Sequence, residues 1–146
     1  MYKISLLGII IFLYIYRYNV KTSPDQKSFD LKVNPSNEDI KVIEVCLRYI
    51  GTESKTNMVV SEIEMLSGFE PQYENLDDLK SKLVKKVEYD EKIETLAFYF
   101  NDMPKEEHCL RIPVEEKIEI GERKPAIAKV YDYYNQEDIV SIEYNV

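Results

Sequence analysis

The segment Lys124-Pro125-Ala126-Ile127-Ala128-Lys129-Val130-Tyr131-Asp132-Tyr133-Tyr134 constrains the fold more than any other part of the chain. Successive side chains of a strand point to opposite faces. Ile127, Lys129, Tyr131 and Tyr133 therefore share one face, and Ala128, Val130, Asp132 and Tyr134 the other. Pro125 has no amide hydrogen to give to a ladder, so it belongs at a strand start or edge. Val130, between Ala128 and Asp132, argues for close packing on the second face, while the aromatic face suits a core equally well. Both faces are expected to be largely covered, one by an opposing sheet and the other by a helix or loop.

Period-two patterning continues through the chain from Phe29. Ile43, Val45, Leu47 and Tyr49 alternate with Glu44, Cys46 and Arg48, the pattern of a strand with one buried face. Gly51 and the polar run Thr52 to Asn57 make a turn. Val59, Ile63 and Met65 form the next inward set, with Glu62 and Glu64 outward. Leu96, Phe98 and Phe100 alternate with Thr95, Ala97 and Tyr99, and the last pair of strands covers Ile127 to Tyr134 and Ile139 to Tyr144. Many short strands separated by regular turn signals predict an all-β, antiparallel β-sandwich.

One segment breaks the period. Leu76, Leu79 and Leu83 are spaced three and four apart, which predicts one short amphipathic α-helix. Asn75 is a good N-cap, and Asp77 and Asp78 suit the positive end of the helix dipole. Lys80, Lys82, Lys85 and Lys86 crowd the other end. Helical stepping from Leu76 puts Asp78, Ser81, Lys82 and Lys85 on the outward face.

Charge and composition narrow the function classes. Of 146 residues, 45% are hydrophobic, which argues against disorder. The net charge is −8; residues 1–28 carry +3, which leaves −11 on residues 29–146. So acidic a body repels nucleic-acid phosphate, and no basic stripe offsets it, so nucleic acid is not an expected partner. Lys3 precedes a 13-residue apolar run from Ile4 to Tyr16, closed by Arg17. That is the length of a signal-peptide core and short of a membrane span, so a secreted, extracellular chain without a stable membrane anchor is expected. Small residues at cleavage-site spacing are missing around Val20 to Ser23.

Cys46 and Cys109 are the only cysteines, each inside an expected strand of a chain expected to enter an oxidising compartment. A disulfide between them is the expected pairing, with two separate buried thiols as the alternative. His108 is the only histidine, which excludes zinc sites built on two or three imidazoles. No nucleophile motif or glycine-rich phosphate loop occurs. No catalytic residue, metal or cofactor is expected, and His108 reads as a strand or turn residue beside Cys109.

Three stretches, in order, carry a family resemblance: Asn57-Met58-Val59-Val60; Met65-Leu66-Ser67-Gly68-Phe69-Glu70-Pro71; and Lys124 to Tyr134 with Glu143-Tyr144-Asn145 after it. Together they resemble the C-terminal receptor-binding domain of the alpha-2-macroglobulin family, which includes thioester-containing proteins and complement components. The resemblance runs from about Phe29 to Val146, so residues 29–146 are expected to form this domain and residues 1–28 a signal-like segment and linker. It also opens a rival account of the N-terminus, since Tyr18-Asn19-Val20 is similar to the last strand of the preceding domain in thioester proteins. On that account residues 1–16 stand in for a missing upstream region.

The resemblance implies a sandwich with one helix and a non-catalytic recognition role in immune clearance, at the end of a longer extracellular protein. The implied partners are an endocytic or other cell-surface receptor, or neighbouring domains of a thioester protein. The family's thioester string of Gly-Cys-Gly-Glu-Gln is absent here. Family members are thought to meet their receptor through two lysines four apart on the helix, and those positions hold Tyr73 and Asp77 in this chain. Lys82 and Lys85 are the candidate substitutes, against the plainer reading that they only solvate the helix. A standalone secreted β-sandwich with a different partner is the second function class.

Overall fold

The computed structural model describes residues 27–36 and 42–145. The apolar run of residues 4–16 and the stretch Tyr18-Asn19-Val20 lie outside the described residues. The strands are β1 (Phe29–Ser36), β2 (Val42–Tyr49), β3 (Val59–Glu64), β4 (Phe69–Pro71), β5 (Val84–Asp90), β6 (Thr95–Phe100), β7 (His108–Glu116), β8 (Ala126–Asp132) and β9 (Ile139–Tyr144). They form two antiparallel sheets, one in the order β1-β2-β7-β4 and one in the order β5-β6-β3-β8-β9.

Alternation along each strand decides what lies between the sheets. Ile43, Val45, Leu47 and Tyr49 of β2 and Leu110, Ile112 and Val114 of β7 are buried on one side. Val59 and Ile63 of β3, Leu96, Phe98 and Phe100 of β6, and Ala126, Ala128 and Val130 of β8 are buried on the other. These side chains belong to one continuous core, the arrangement that two facing sheets require.

The strand β8 settles which of its faces is the core. Ala128 and Val130 are fully buried, whereas Ile127, Lys129 and Tyr131 are half-buried on the outer face. Neither a helix nor a loop is needed to cover that outer face. Its own cross-strand neighbours do so: the Tyr131 hydroxyl donates to Glu62 Oε1 at 2.8 Å, and Lys129 Nζ lies 3.6 Å from Glu62 Oε2. Tyr133, past the strand end, is exposed. Pro125 immediately precedes β8, where a missing amide hydrogen costs no ladder bond.

The expected α-helix is not formed. Asn75 caps as expected: its Oδ1 accepts the Asp77 amide at 3.0 Å, and Asp78 Oδ2 accepts the Asn75 amide at 2.9 Å. The helix ends after one 3-10 turn, Leu76–Leu79, and Lys80 is already extended. Val84–Asp90 then pairs with β6 as an edge strand. The register shifts between Val84 and Lys86, so Lys85 is the extra residue of a β-bulge. A bulge puts residues three apart on one face, and Val84 and Val87 are both buried. That spacing, following Leu76, Leu79 and Leu83, imitates a helical period in a segment that is mostly strand.

Candidate functional site

The lysine-rich connection between the 3-10 turn and β5 is held down by the apolar side chains around it. Leu79 and Val84 are buried, and Leu76 and Leu83 pack against the core. The Ser81 carbonyl accepts the Val84 amide at 3.0 Å, which closes a turn over Lys82 and Leu83. With both ends fixed by burial, the charged residues between them point to water. Lys80, Lys82, Lys85 and Lys86 are all exposed.

Their pairing differs. Lys80 Nζ lies 2.7 Å from Asp77 Oδ1. Lys86 bonds Glu88 and sits 5.8 Å from the Tyr99 ring centroid. The Glu88 pKa is lowered, first by its hydrogen bond with Lys86 and then by that with Tyr99. Tyr99 is pushed up to about 12, chiefly by burial and then by its bond to Glu88. Lys82 and Lys85 form no ion pair with a described residue. They are not on one helical face: Lys82 occupies the turn and Lys85 the bulge of β5. The structure thus keeps both expected lysines at the surface and close in the chain, on a scaffold different from the expected one.

Tyr73 and Asp77 present no positive charge in their place. The Tyr73 ring makes an edge contact with Tyr89 at 6.3 Å, and Asp77 holds Lys80.

Beneath the turn lies a contact that strand and helix patterning does not reveal. Ser81 Oγ is 2.6 Å from His108 Nε2, and the His108 ring meets Phe100 edge-on at 6.3 Å. Burial lowers the His108 pKa. Next along β7, Cys109 is bonded to Cys46 of β2; the two are direct partners in the ladder, with Cα atoms 4.0 Å apart. The bridge lies on the outer face of its sheet, among the ion pairs Asp30–Arg48, Lys32–Glu107 and Glu44–Arg111. Ser81 looked like an outward residue of a helix, and only the fold brings it to His108.

Among the described residues, the one group of His, Cys, Asp and Glu at metal-binding spacing is Glu44, Cys46 and Cys109. Its two sulfurs are bonded to each other and are not thiolate ligands. No helix among the described residues is long and apolar enough to cross a membrane.

The resemblance motifs have structural work in this sandwich. Gly68 has φ +85°, and a Cβ there would lie 2.2 Å from the Ile118 carbonyl oxygen. Its own carbonyl accepts the amides of Lys117 and Ile118, fixing the passage from β3 in one sheet to β4 in the other. Tyr144 is buried, and its hydroxyl donates to the Glu64 carbonyl. Burial raises its pKa.

Residues 54–145 match the family model described as the A-macroglobulin receptor binding domain. The chain is 32% identical to ovostatin of Gallus gallus over 148 aligned positions, covering 94% of this chain and 10% of ovostatin. It is 27% identical to complement C3 of Naja naja over 129 positions, covering 84% of this chain and 8% of that protein. The chain thus spans about a tenth of the length of these curated relatives.

Proposed function

We propose that this chain, which belongs to the A-macroglobulin receptor binding domain family, is a non-catalytic extracellular recognition domain that docks a cell-surface receptor through Lys82 and Lys85. The observation that carries this reading is the difference among four neighbouring lysines. Lys80 and Lys86 are engaged by Asp77 and Glu88, while Lys82 and Lys85 are exposed without an ion pair to a described residue. A receptor that captures ammonium groups in acidic pockets needs uncommitted lysines on a fixed surface. The turn supplies Lys82 and the β5 bulge Lys85, on a domain whose residues 29–146 otherwise carry a strong negative balance.

An acidic body repels an acidic pocket at long range, so docking depends on the local positive patch and weakens with salt. The Cys46–Cys109 bridge supports an oxidising, extracellular setting. Residues 29–146 act as the recognition unit, and residues 1–28 as a signal-like segment and linker. Uptake or immune clearance of a longer thioester-type protein is the process this role fits.

The test is binding of the wild-type chain and of the Lys82→Ala/Lys85→Ala variant to an immobilised endocytic-receptor fragment with acidic lysine pockets. Truncating one partner of a buried interfacial charge pair costs about 2 kcal/mol or more, or roughly thirtyfold in affinity. The double variant should lose at least that much and keep its thermal unfolding midpoint, because neither side chain is in the core. Equal binding by the two proteins would remove the lysines from the contact surface and leave the domain as a structural or differently partnered module.

A further inference from the structure

The two ends of the Cys46–Cys109 bridge are unequal. Both cysteines lie on the outer face of the four-stranded sheet, in the alternation that sends Val45, Leu47 and Leu110 into the core. Cys46 is only 5% exposed, on a strand flanked by β1 and β7. Cys109 is exposed. Its strand has β2 on one side, whereas on the other β4 pairs only with Val114 to Glu116. Among the described residues, no strand flanks Cys109 on that open side.

A carboxylate adjoins both ends. Glu44, two residues before Cys46 on the same face, brings an oxygen within 4.8 Å of either sulfur. Its ladder partner Arg111 is its counter-charge, at 3.9 Å. The neighbouring charges of that face are engaged with one another, Asp30 with Arg48 and Lys32 with Glu107.

We propose that Cys109 is a thiol-exchange site, attacked by an external dithiol reductant while the domain stays folded, and that Glu44 restrains the rate. The attacking species is a thiolate. It forms a new bond to Cys109 Sγ, the bond between Cys109 and Cys46 breaks, and the electron pair leaves with Cys46 as a thiolate that takes a proton from water. The second thiolate of the reductant then attacks the reductant's own sulfur in the mixed disulfide and releases Cys109. Two electrons pass from the dithiol to the bridge, and the two protons the dithiol gives up are regained by the two cysteines. Accessible disulfides are the labile ones. The folded state can survive the step, because the ladder from Val42–Pro113 to Leu47–His108 and the inward side chains of β2 and β7 do not depend on the outer face. Glu44 acts at both stages with one sign: it repels the incoming thiolate and disfavours the thiolate that leaves.

This chemistry is independent of the lysine surface and is tested without a receptor. Reduced glutathione, whose single thiol stops at the first step, locates the attack. After acid quenching of the native wild-type chain, peptide mapping should find glutathione on Cys109 and Cys46 as a free thiol; glutathione on Cys46 instead overturns the proposal. Dithiothreitol then gives the rate, counted as cysteines that react with a maleimide. Reduction of the folded domain should be nearly flat in urea below the unfolding transition. A rate that climbs with urea in step with unfolding would show that the bridge opens only in the unfolded chain, and also overturns it. Glu44→Gln should be reduced about twofold to fivefold faster, the size of one exposed charge contact. An unchanged or slower rate in that variant overturns the role given to Glu44.

Discussion

Gly68 shows at the scale of one residue how a motif shared with a family can serve the fold. Its φ of +85° lies where an L side chain is strained, and a Cβ would lie 2.2 Å from the Ile118 carbonyl oxygen, which is backbone and cannot swing away. The same residue's carbonyl holds the amides of Lys117 and Ile118. Gly68→Ala is therefore predicted to cost about 2 kcal/mol or more, from left-handed strain plus the clash. A thermal melt should show the midpoint falling by about 5–10 °C. A midpoint within 1–2 °C of the wild type, roughly the shift expected for a surface substitution, would contradict this account of the motif. His108 works differently. Nothing in its local sequence distinguishes a strand residue beside a cysteine from the anchor of a turn 27 positions away.

The disulfide is the clearest device at the scale of the element. It joins neighbouring strands of one sheet, β2 and β7, across 63 positions of chain. Removing a crosslink over a loop of that length costs about 2–5 kcal/mol in small secreted domains. Cys46→Ala is predicted to lower stability by that amount and to leave Cys109, exposed at the sheet surface, as a thiol that reacts with a maleimide in the native state. An unreactive Cys109 in the folded variant would show that the strand end is covered by something else. The strands β2, β3, β6, β8 and β9 were legible because period-two burial is written directly in the apolar residues: Ile43 to Tyr49, Val59 to Ile63, Leu96 to Phe100. The strand β5 was not legible. Its bulge at Lys85 breaks the alternation, and Val84 and Val87 then sit at a spacing that a helix also produces. Propensity alone gives the Asn75 cap and one turn; pairing with β6 takes the rest of the segment. Lys82 and Lys85 were thus found as exposed lysines for a geometric reason that does not hold, and they remain exposed for another. Lysine at a bulged edge strand also guards against pairing with other chains, a role compatible with receptor contact.

For the whole molecule, the account rests on contrast: a strongly acidic sandwich on which Lys82 and Lys85, close in the chain, are exposed without an ion pair to a described residue. Docking at these two lysines is distinct from docking by a broad sheet face, such as the outer row of Tyr99, Tyr131 and Tyr133 on the five-stranded sheet. The most direct measurement is a chemical-shift map of the isotope-labelled chain titrated with an endocytic-receptor repeat carrying an acidic lysine pocket, at low and at high salt. The account predicts shifts centred on Ser81 to Lys86, including the Lys82 and Lys85 ammonium groups, that shrink as salt is added. Shifts centred on the outer tyrosines of β6 and β8, with the lysine turn unmoved, would contradict it.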